Sequence, residues 1–231
     1  MGRRRERSFA PRRMLFASRA RIIARQIETF EDHPGLWLVE PTSVSLLDRL
    51  KVARPEAVDW ERLQDIYMPL VRRWLRRVPG LGDEADDLAQ EVFVVVVREL
   101  PRFERRREGS FRAWLRTITA NKALNYCKQR DRRPTVGIDQ AEGFLDQMAD
   151  PDSDLARQWD REHDEHVVRK LLAAVEGDFK PTTWEAFRRL ALDGLPAARV
   201  AEELGMPENA VLLAKSRVIR RLRREPGDLL R

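Results

Sequence analysis

The chain has 231 residues, 42% of them hydrophobic and 35% charged, which suffices for one or two modest domains with apolar cores. Its single cysteine, Cys127, excludes an internal disulfide framework and a cysteine-rich zinc site, and it fits a reducing cytosol. The longest apolar run, residues 92–97, is far shorter than the roughly 20 residues that span a bilayer, and no signal peptide is visible. We therefore predict a cytoplasmic protein without membrane insertion.

The net charge of +6 is concentrated at the N-terminus, because the first 25 residues hold nine arginines and one acid. This composition predicts a disordered, Arg-rich extension over residues 1–41. Three alternatives stay open: an arm that attracts nucleic acid through salt-sensitive contacts, a weakly amphipathic surface helix around residues 13–26, and an over-long reading frame.

Helical periodicity begins near Ser43 and predicts two amphipathic helices. Pro69 should kink the second helix or start a new one, and the turn at residues 79–82 should end it. A third helix is expected over residues 83–100, because no turn signal separates its valines from its acidic first turn, although five valines could also form a strand. The apolar positions of the first two helices are Val44, Leu47, Leu50, Trp60, Leu63, Tyr67, Leu70, Trp74 and Val78.

Four polar residues of the third helix share one exposed side at spacings of three to five residues. The pattern favours a protein-docking surface over a solvated acidic face, and metal or catalytic chemistry is the weakest alternative, because no further ligands match it. We interpret His163 and His166 as helix-surface residues, and we expect no metal, cofactor or catalytic group. The four residues are Asp86, Asp87, Gln90 and Glu91.

A basic loop precedes a long helix predicted from Ser110, its N-cap, to Arg130. One side of this helix is apolar and should pack on the valine-rich helix. Another side suits phosphates and exposed bases, because cations bind the backbone while amides and aromatic rings contact or stack on bases. The residues on or beside that second stripe are Arg112, Arg116, Thr119, Asn121, Lys122, Tyr126 and Arg130.

Residues 135–155 hold six acids, no lysine or arginine, and Pro151, which predicts a flexible acidic linker. The linker is either a tether or a mimic of nucleic acid. A helix should follow, with Trp159, His163, Val167, Leu171 and Val175 on one face. A capping box at residues 182–185 predicts another helix that ends near 193–194.

The C-terminal segment predicts a helix-turn-helix that reads DNA. Pro196 and Pro207 suit helix starts, and Gly205 can adopt the left-handed conformation between them. The alternative is a helical hairpin with a solvated basic face. The second helix should bury Val211, Ala214, Val218 and Leu222 and expose Asn209, Leu212, Leu213, Ser216, Arg217 and Arg220.

Residues 86–93, residues 111–121 and the C-terminal helix-turn-helix, in this order, resemble bacterial RNA polymerase sigma factors of the extracytoplasmic-function (ECF) group of the sigma-seventy family. The resemblance covers roughly residues 43–224. It implies an all-α fold of two small helical domains joined by the flexible acidic linker. The implied parts are a region 2 domain over 42–134, the linker over 135–155 and a region 4 domain over 156–231.

The same resemblance implies a transcription initiation factor, not an enzyme, that binds core RNA polymerase, recognises promoter DNA and assists strand opening. The acidic face would dock on the clamp of the largest polymerase subunit, and the helix over 110–130, with Arg106 in the preceding loop, would bind and melt the minus-ten element. An anti-sigma factor is a candidate further partner, and we expect the free protein to be monomeric. Contacts to the minus-thirty-five element are assigned to Asn209, Lys215, Ser216, Arg217 and Arg220.

One departure from the family pattern concerns the recognition helix. Leu212 and Leu213 stand where relatives usually place a basic residue and a serine, and they could meet thymine methyl groups instead. Two rival functions remain: a stand-alone helix-turn-helix regulator, which would bind duplex DNA tightly without polymerase, and a metal-dependent enzyme acting on nucleic acid.

Overall fold

The computed structural model describes residues 20, 22–23, 46–52, 58–104, 110–130 and 138–224. These ranges contain no strand, which confirms the predicted all-α class, and none of their helices is both long and apolar enough to cross a membrane. The helices are α1 (Leu46–Val52), α2 (Val58–Leu75), α3 (Ala85–Glu99), α4 (Ser110–Arg130), α5 (Ile138–Ala149), α6 (Asp154–Val175), α7 (Pro181–Phe187), α8 (Ala197–Leu204) and α9 (Glu208–Arg224).

Two hydrophobic cores organise these helices. The main core extends from α1 through α6 and takes in the C-terminal half of α9. Its largest buried pair is Trp74 on α2 and Trp159 on α6, whose ring centroids lie 5.1 Å apart. The second core is small and lies between α7, α8 and the first half of α9, around Ala186, Val200, Val211 and Ala214. The helix-turn-helix segment therefore has its own core, while α6 belongs to the main one.

Pro69 does not start a new helix, which was one of the two predicted outcomes; the other was a kink. The helix runs without interruption from Val58 to Leu75. Pro69 faces solvent, so the carbonyl of Asp65, which loses its helical partner, lies on the side where water can satisfy it. The buried positions on the other face, Trp60, Leu63, Tyr67, Leu70 and Trp74, match the prediction.

The predicted absence of regular structure between residues 135 and 155 is wrong for much of the segment, because α5 occupies residues 138–149. Ala141, Leu145 and Met148 are spaced by four and three residues and are buried against α4 and α6. Its acids lie on the remaining surface. Ser153 then caps α6, since its hydroxyl oxygen accepts a hydrogen bond from the Ala156 amide at 2.9 Å.

The predicted disorder of the N-terminal extension does not hold for the three positions that the structure describes there. Ala20, Ile22 and Ile23 are helical, and Ala20 and Ile23 are buried in the main core. These positions agree with the alternative of an amphipathic helix. The rest of residues 1–41 lies outside the described residues.

The predicted capping box at the start of α7 does not form. The helix begins two residues earlier than the box predicts, at Pro181, with Lys180 at the N-cap and no side-chain cap. Proline suits the first helical position because its missing N–H costs nothing there. Glu185, the acid of the predicted box, instead accepts hydrogen bonds from Arg188 and Arg189, which lower its pKa to about 2.

Candidate polymerase and nucleic-acid interfaces

The predicted docking face lies along α3, where Asp87, Gln90 and Glu91 are exposed. Asp86 is half-buried and accepts two hydrogen bonds from Arg76, at 3.0 and 3.1 Å. The acidic first turn of α3 is favoured by the positive end of the helix dipole. The face therefore combines one acid held by an arginine just after α2 with three outward polar groups.

Val94 extends this face and was missed by sequence reasoning. It is 67% exposed, although the valines of this helix were expected to be buried by packing. Val94 lies seven residues after Asp87 and three after Glu91, so the three side chains share one side of α3. This spacing was the sequence signal that could have placed Val94 on the docking face. The Val94 side chain adds an apolar contact to an otherwise polar surface.

The structure places Arg112 and Arg116 beneath α6 and not on an open face of α4. Arg112 donates a hydrogen bond to Asp164 at 3.0 Å, and Arg116 donates one to Asp160 at 2.8 Å. Arg116 is only 3% exposed. Thr119 is fully buried and donates its hydroxyl hydrogen to the Leu115 carbonyl. The expectation that these three residues lie on an exposed stripe is wrong, and their assignment to DNA remains a prediction.

The remaining residues of the predicted stripe are distributed differently. Asn121 is exposed, while Tyr126 is half-buried against the main core. Lys122 forms an ion pair with Glu91 at 2.9 Å, which brings one residue of the predicted DNA site into contact with the predicted docking face. Arg130 ends α4, although its side chain is outside the described part, and Arg106 lies outside the described residues altogether.

The surface of α6 that meets α2 contains both histidines, which corrects their interpretation as helix-surface residues. His163 is fully buried, and its Nε2 lies 3.3 Å from the Tyr67 hydroxyl. His166 lies 2.6 Å from the Ile66 carbonyl through Nε2, so the neutral ring can donate this hydrogen bond. Burial lowers the pKa of His166 to about 4, against the opposing effect of the Ile66 hydrogen bond.

The same surface of α6 also presents an acid to Arg73 of α2 and to Arg77, which follows the end of α2. Glu162 pairs with Arg77 at 2.9 Å and with Arg73 at 3.7 Å. Together with Asp160 and Asp164, it gives α6 three acids that face cations of α2 and α4. We call this contact the α6 seam, defined by Asp160, Glu162, Asp164, His163 and His166.

The segment from α8 to α9 has the local geometry predicted from its prolines and glycine. Gly205 adopts the left-handed conformation with φ 62°, and the Met206 amide donates to the Ala201 carbonyl at 3.0 Å. The carbonyl of Pro207 accepts from the Ala210 amide at 2.9 Å, which starts α9. These contacts hold the two helices in a fixed mutual orientation.

The burial of α9 agrees with the predicted inward and outward sets. Val211, Ala214, Val218 and Leu222 are buried, while Lys215, one of the residues assigned to DNA, is half-buried. Glu208 at the start of α9 is exposed, and the six exposed positions described after it are Asn209, Leu212, Leu213, Ser216, Arg217 and Arg220. Ser216 donates its hydroxyl hydrogen to the Leu212 carbonyl at 3.1 Å. We call the six exposed residues the α9 face.

Across the ranges that the structure describes, no group of three or more His, Cys, Asp or Glu side chains is arranged to hold a metal ion. The acids of α3 and α6 are matched by arginine and lysine partners or face solvent.

Residues 63–133, which include most of α2 and all of α3 and α4, match the family model of Sigma-70 region 2. Two curated relatives are named as sigma factors, and no solved structure matches. The chain is therefore similar to the sigma-70 family over its region 2 segment, and one relative is named as a sigma factor of the extracytoplasmic-function group.

The first relative is "ECF RNA polymerase sigma factor SigE" from Mycolicibacterium smegmatis, 32% identical over 95 residues, which cover 40% of this chain and 35% of the relative. The second is "Probable RNA polymerase sigma factor RfaY" from Xanthomonas campestris pv. campestris, 28% identical over 141 residues, which cover 61% of this chain and 34% of the relative. The chain spans about a third of the length of the curated relatives it matches.

Proposed function

We propose that this protein is a transcription initiation factor that binds core RNA polymerase and directs it to specific promoters. The observation that carries the proposal is the region 2 match over residues 63–133, which coincides with the helices that present the docking face. The polymerase would supply the catalysis, and the protein itself would act by binding. We also propose that the free protein is a cytoplasmic monomer, and that an anti-sigma factor could sequester it.

The polymerase contact is assigned to Asp87, Gln90, Glu91 and Val94 on α3. Exposed carboxylates around one apolar side chain suit a basic partner surface, because charge steers the encounter while buried apolar area adds affinity. In the family this partner is the clamp of the largest polymerase subunit. Asp86, held by Arg76, would orient the start of the helix.

Promoter contacts are assigned to two separate helices. On α4, Asn121 is open to a melted strand, while Arg112 and Arg116 would contribute only after α6 leaves them. Capturing an unstacked base costs a few kcal/mol, which stacking and hydrogen bonds must offset, so melting would be differential binding to the open strand. On α9, the outward polar residues Asn209, Ser216, Arg217 and Arg220, with Lys215, would contact the minus-thirty-five element.

Co-elution of the purified full chain with sigma-free core polymerase tests this function. We would compare the wild type with Asp87→Ala/Glu91→Ala at about 0.2 M salt, so that the Arg-rich N-terminus contributes little. The matched control is Glu61→Ala/Asp65→Ala, which removes two exposed acids at the same spacing from α2. The α3 variant should lose at least about tenfold in affinity for the core, which is the scale of charge-pair losses at interfaces.

Equal core affinity of the two double variants would contradict the docking assignment. Clean separation of the wild type from core polymerase, with duplex DNA binding retained, would instead favour the stand-alone regulator. Circular dichroism would verify that both variants keep the helical content of the wild type.

A further inference from the structure

Two adjacent leucines interrupt the polar α9 face. Leu212 is 47% exposed and Leu213 is 46% exposed. Single exposed leucines need no explanation, because much of any protein surface is apolar. Here, however, the pair lies in the middle of the surface that α9 presents outward, next to Ser216 and Arg217, and the buried Val211 and Ala214 fix the helix beneath it.

Helical geometry places Leu213 among the polar groups of this face. At 100° per residue, Asn209, Leu213, Ser216 and Arg220 fall within a narrow stripe along α9, and Leu212 lies on one flank of it. Leu213 therefore projects in nearly the same direction as the Asn209 amide. Whatever Asn209 and Arg220 contact, Leu213 contacts as well.

The charge around the leucines identifies the class of partner. Helix α9 contains one acid, Glu208 at its first position, and six basic residues after it. Arg217 and Arg220 are exposed on the α9 face itself. A cationic helix with an amide and small polar groups between the arginines is complementary to the phosphates and base edges of a duplex major groove. An apolar protein partner would leave those arginines desolvated at a cost.

Within the major groove, only thymine offers an apolar group, its C5-methyl. A leucine side chain cannot satisfy the amino group of cytosine or the acceptors of guanine, so those bases would lose hydrogen bonds to water when the leucine covers them. Burial of a methyl group against leucine stabilises the complex in contrast. The asparagine one turn away is suited to adenine, so the two residues favour A·T pairs at neighbouring positions.

We propose that Leu212 and Leu213 are specificity-determining residues that read thymine methyl groups in the minus-thirty-five promoter element. This inference rests on the proposed function, because it takes α9 to be the helix that enters the duplex. Leu213 contacts a methyl group in line with Asn209, and Leu212 contacts a second methyl group on the flank of the stripe.

The test is to remove only the methyl groups. Duplexes selected from a random library by the full chain with core polymerase, and separately by the full chain alone, define the preferred site. Each thymine is then replaced with deoxyuridine, which keeps base pairing and the O4 acceptor. Affinities are measured for the wild type, Leu212→Ala, Leu213→Ala and the control Val58→Ala, which removes an exposed valine from α2.

For the wild type, deoxyuridine at one or two positions should lower affinity about fourfold each, the expected loss for one buried methyl group. Leu213→Ala should abolish the response at one of these positions and Leu212→Ala at the other, while Val58→Ala keeps both. Because both leucines are exposed, the variants should melt at the wild-type temperature.

Other outcomes separate this inference from the proposed function. Selection of a site with core polymerase, but with equal deoxyuridine effects in the wild type and both leucine variants, would overturn the inference alone. If the leucine variants lose the deoxyuridine effect only on sites selected without polymerase, the leucine contacts to thymine stand and the proposal of an initiation factor is overturned. No enrichment in either selection would overturn both. A concentration-dependent dimer that Leu213→Ala dissociates, with no deoxyuridine response, would overturn the inference and the proposed monomeric state.

Discussion

Helices α4 and α9 both carry arginines at positions assigned to DNA, yet they expose them to different degrees. On α4, Arg112 and Arg116 are paired with Asp164 and Asp160 of α6. On α9, Arg217 and Arg220 are exposed. The difference arises because α6, with its acids, returns to the main core and covers α4, whereas the small second core leaves one side of α9 uncovered.

The comparison shows that an arginine on the polar side of an amphipathic helix has two quite different physical roles. A covered arginine is part of the fold, because its removal leaves a carboxylate without its partner. An exposed arginine contributes little to stability and is available to a polyanion. The following predictions test whether this division between α4 and α9 is correct.

The largest expected effect comes from the same substitution made on both helices. Arg116→Ala should lower the free energy of unfolding by about 2 to 3 kcal/mol, because Asp160 loses its nearer partner in a partly buried site and keeps only Arg112, at 3.8 Å. Arg217→Ala should change it by less than about 0.5 kcal/mol. The DNA effect should be opposite: Arg217→Ala weakens duplex binding and reduces the salt slope by about 1.

Urea unfolding and salt-dependent duplex binding measure the two quantities on the same preparations. If both variants lost similar stability, α6 would not be packed on α4 in solution. Loss of duplex affinity in Arg116→Ala alone would also reverse the comparison.

The second prediction concerns the pH dependence of the α6 seam. Burial holds the pKa of His166 at about 4, and Arg73, Lys170 and His163 add to the cost of its protonation. The unfolded chain takes up this proton near its usual value of about 6.5, so it binds more protons than the folded chain between these values. Stability should therefore fall as pH drops from about 6.5 towards 4, by roughly 2 kcal/mol from this histidine.

Urea unfolding of the wild type and His166→Gln between pH 7 and 4.5 measures this loss. The variant should be less stable at neutral pH but should show a smaller slope over this range. Leu213→Ala, on the open α9 face, should keep the wild-type slope. A wild-type slope in His166→Gln would show that another group causes the acid sensitivity.

Helical periodicity predicted the buried residues correctly where the apolar spacing within a single helix decides which side is buried. The apolar positions of α2 and the inward set of α9 were predicted, because spacing of 3.6 residues identifies the buried side. The left-handed Gly205 was predicted because few other residues adopt that conformation easily. The valines of α3 were compatible with either a helix or a strand, and the absence of a turn signal before them favoured the helix.

The sequence did not predict burial correctly where a segment far along the chain packs over a helix and covers its polar side chains. Nothing local to α4 shows that Asp160 and Asp164, more than 40 residues away, pair with its arginines. In α5, the high content of acids obscured the helical spacing of Ala141, Leu145 and Met148. These errors share a cause: charge was interpreted as exposure, although an acid and an arginine can cover each other.

The third prediction tests whether the acids of α6, by pairing with the arginines of α4, prevent α4 from binding nucleic acid. Asp160→Asn/Asp164→Asn keeps the side-chain shapes but removes the attraction for Arg112 and Arg116. The free chain should then bind single-stranded DNA about fivefold more tightly, with a salt slope steeper by roughly 1, as expected for one or two additional phosphate contacts. Fluorescence anisotropy with a labelled oligonucleotide measures both changes.

The matched control is Asp139→Asn/Asp146→Asn, which removes the same charge from exposed acids of α5. It should raise affinity by less than half as much. Adding Arg112→Ala to the α6 variant should reverse most of the gain. Equal gains in the two double variants would mean that net charge, and not release of α4, explains the effect.

The smallest expected effect lies beside the second core, where Glu185 accepts hydrogen bonds from Arg188 and Arg189. These hydrogen bonds, first the one from Arg188 and then the one from Arg189, lower the pKa of Glu185 to about 2. The Glu185 side chain is, however, 30% exposed, so solvent screens the pair. We therefore expect Glu185→Gln to cost less than about 1 kcal/mol, well below Arg116→Ala.

The pH dependence distinguishes this network from the α6 seam. A carboxylate with a lowered pKa stabilises the fold above its unfolded value, near 4.5, and that contribution is lost as pH falls towards 2. Glu185→Gln should thus flatten the unfolding profile only below about pH 4.5, whereas the histidine acts between about 6.5 and 4. If Glu185→Gln instead changed the slope of unfolding free energy against pH near pH 6, the second core and the α6 seam would unfold as one coupled unit. Covered and exposed ion pairs would then not be independent in this protein.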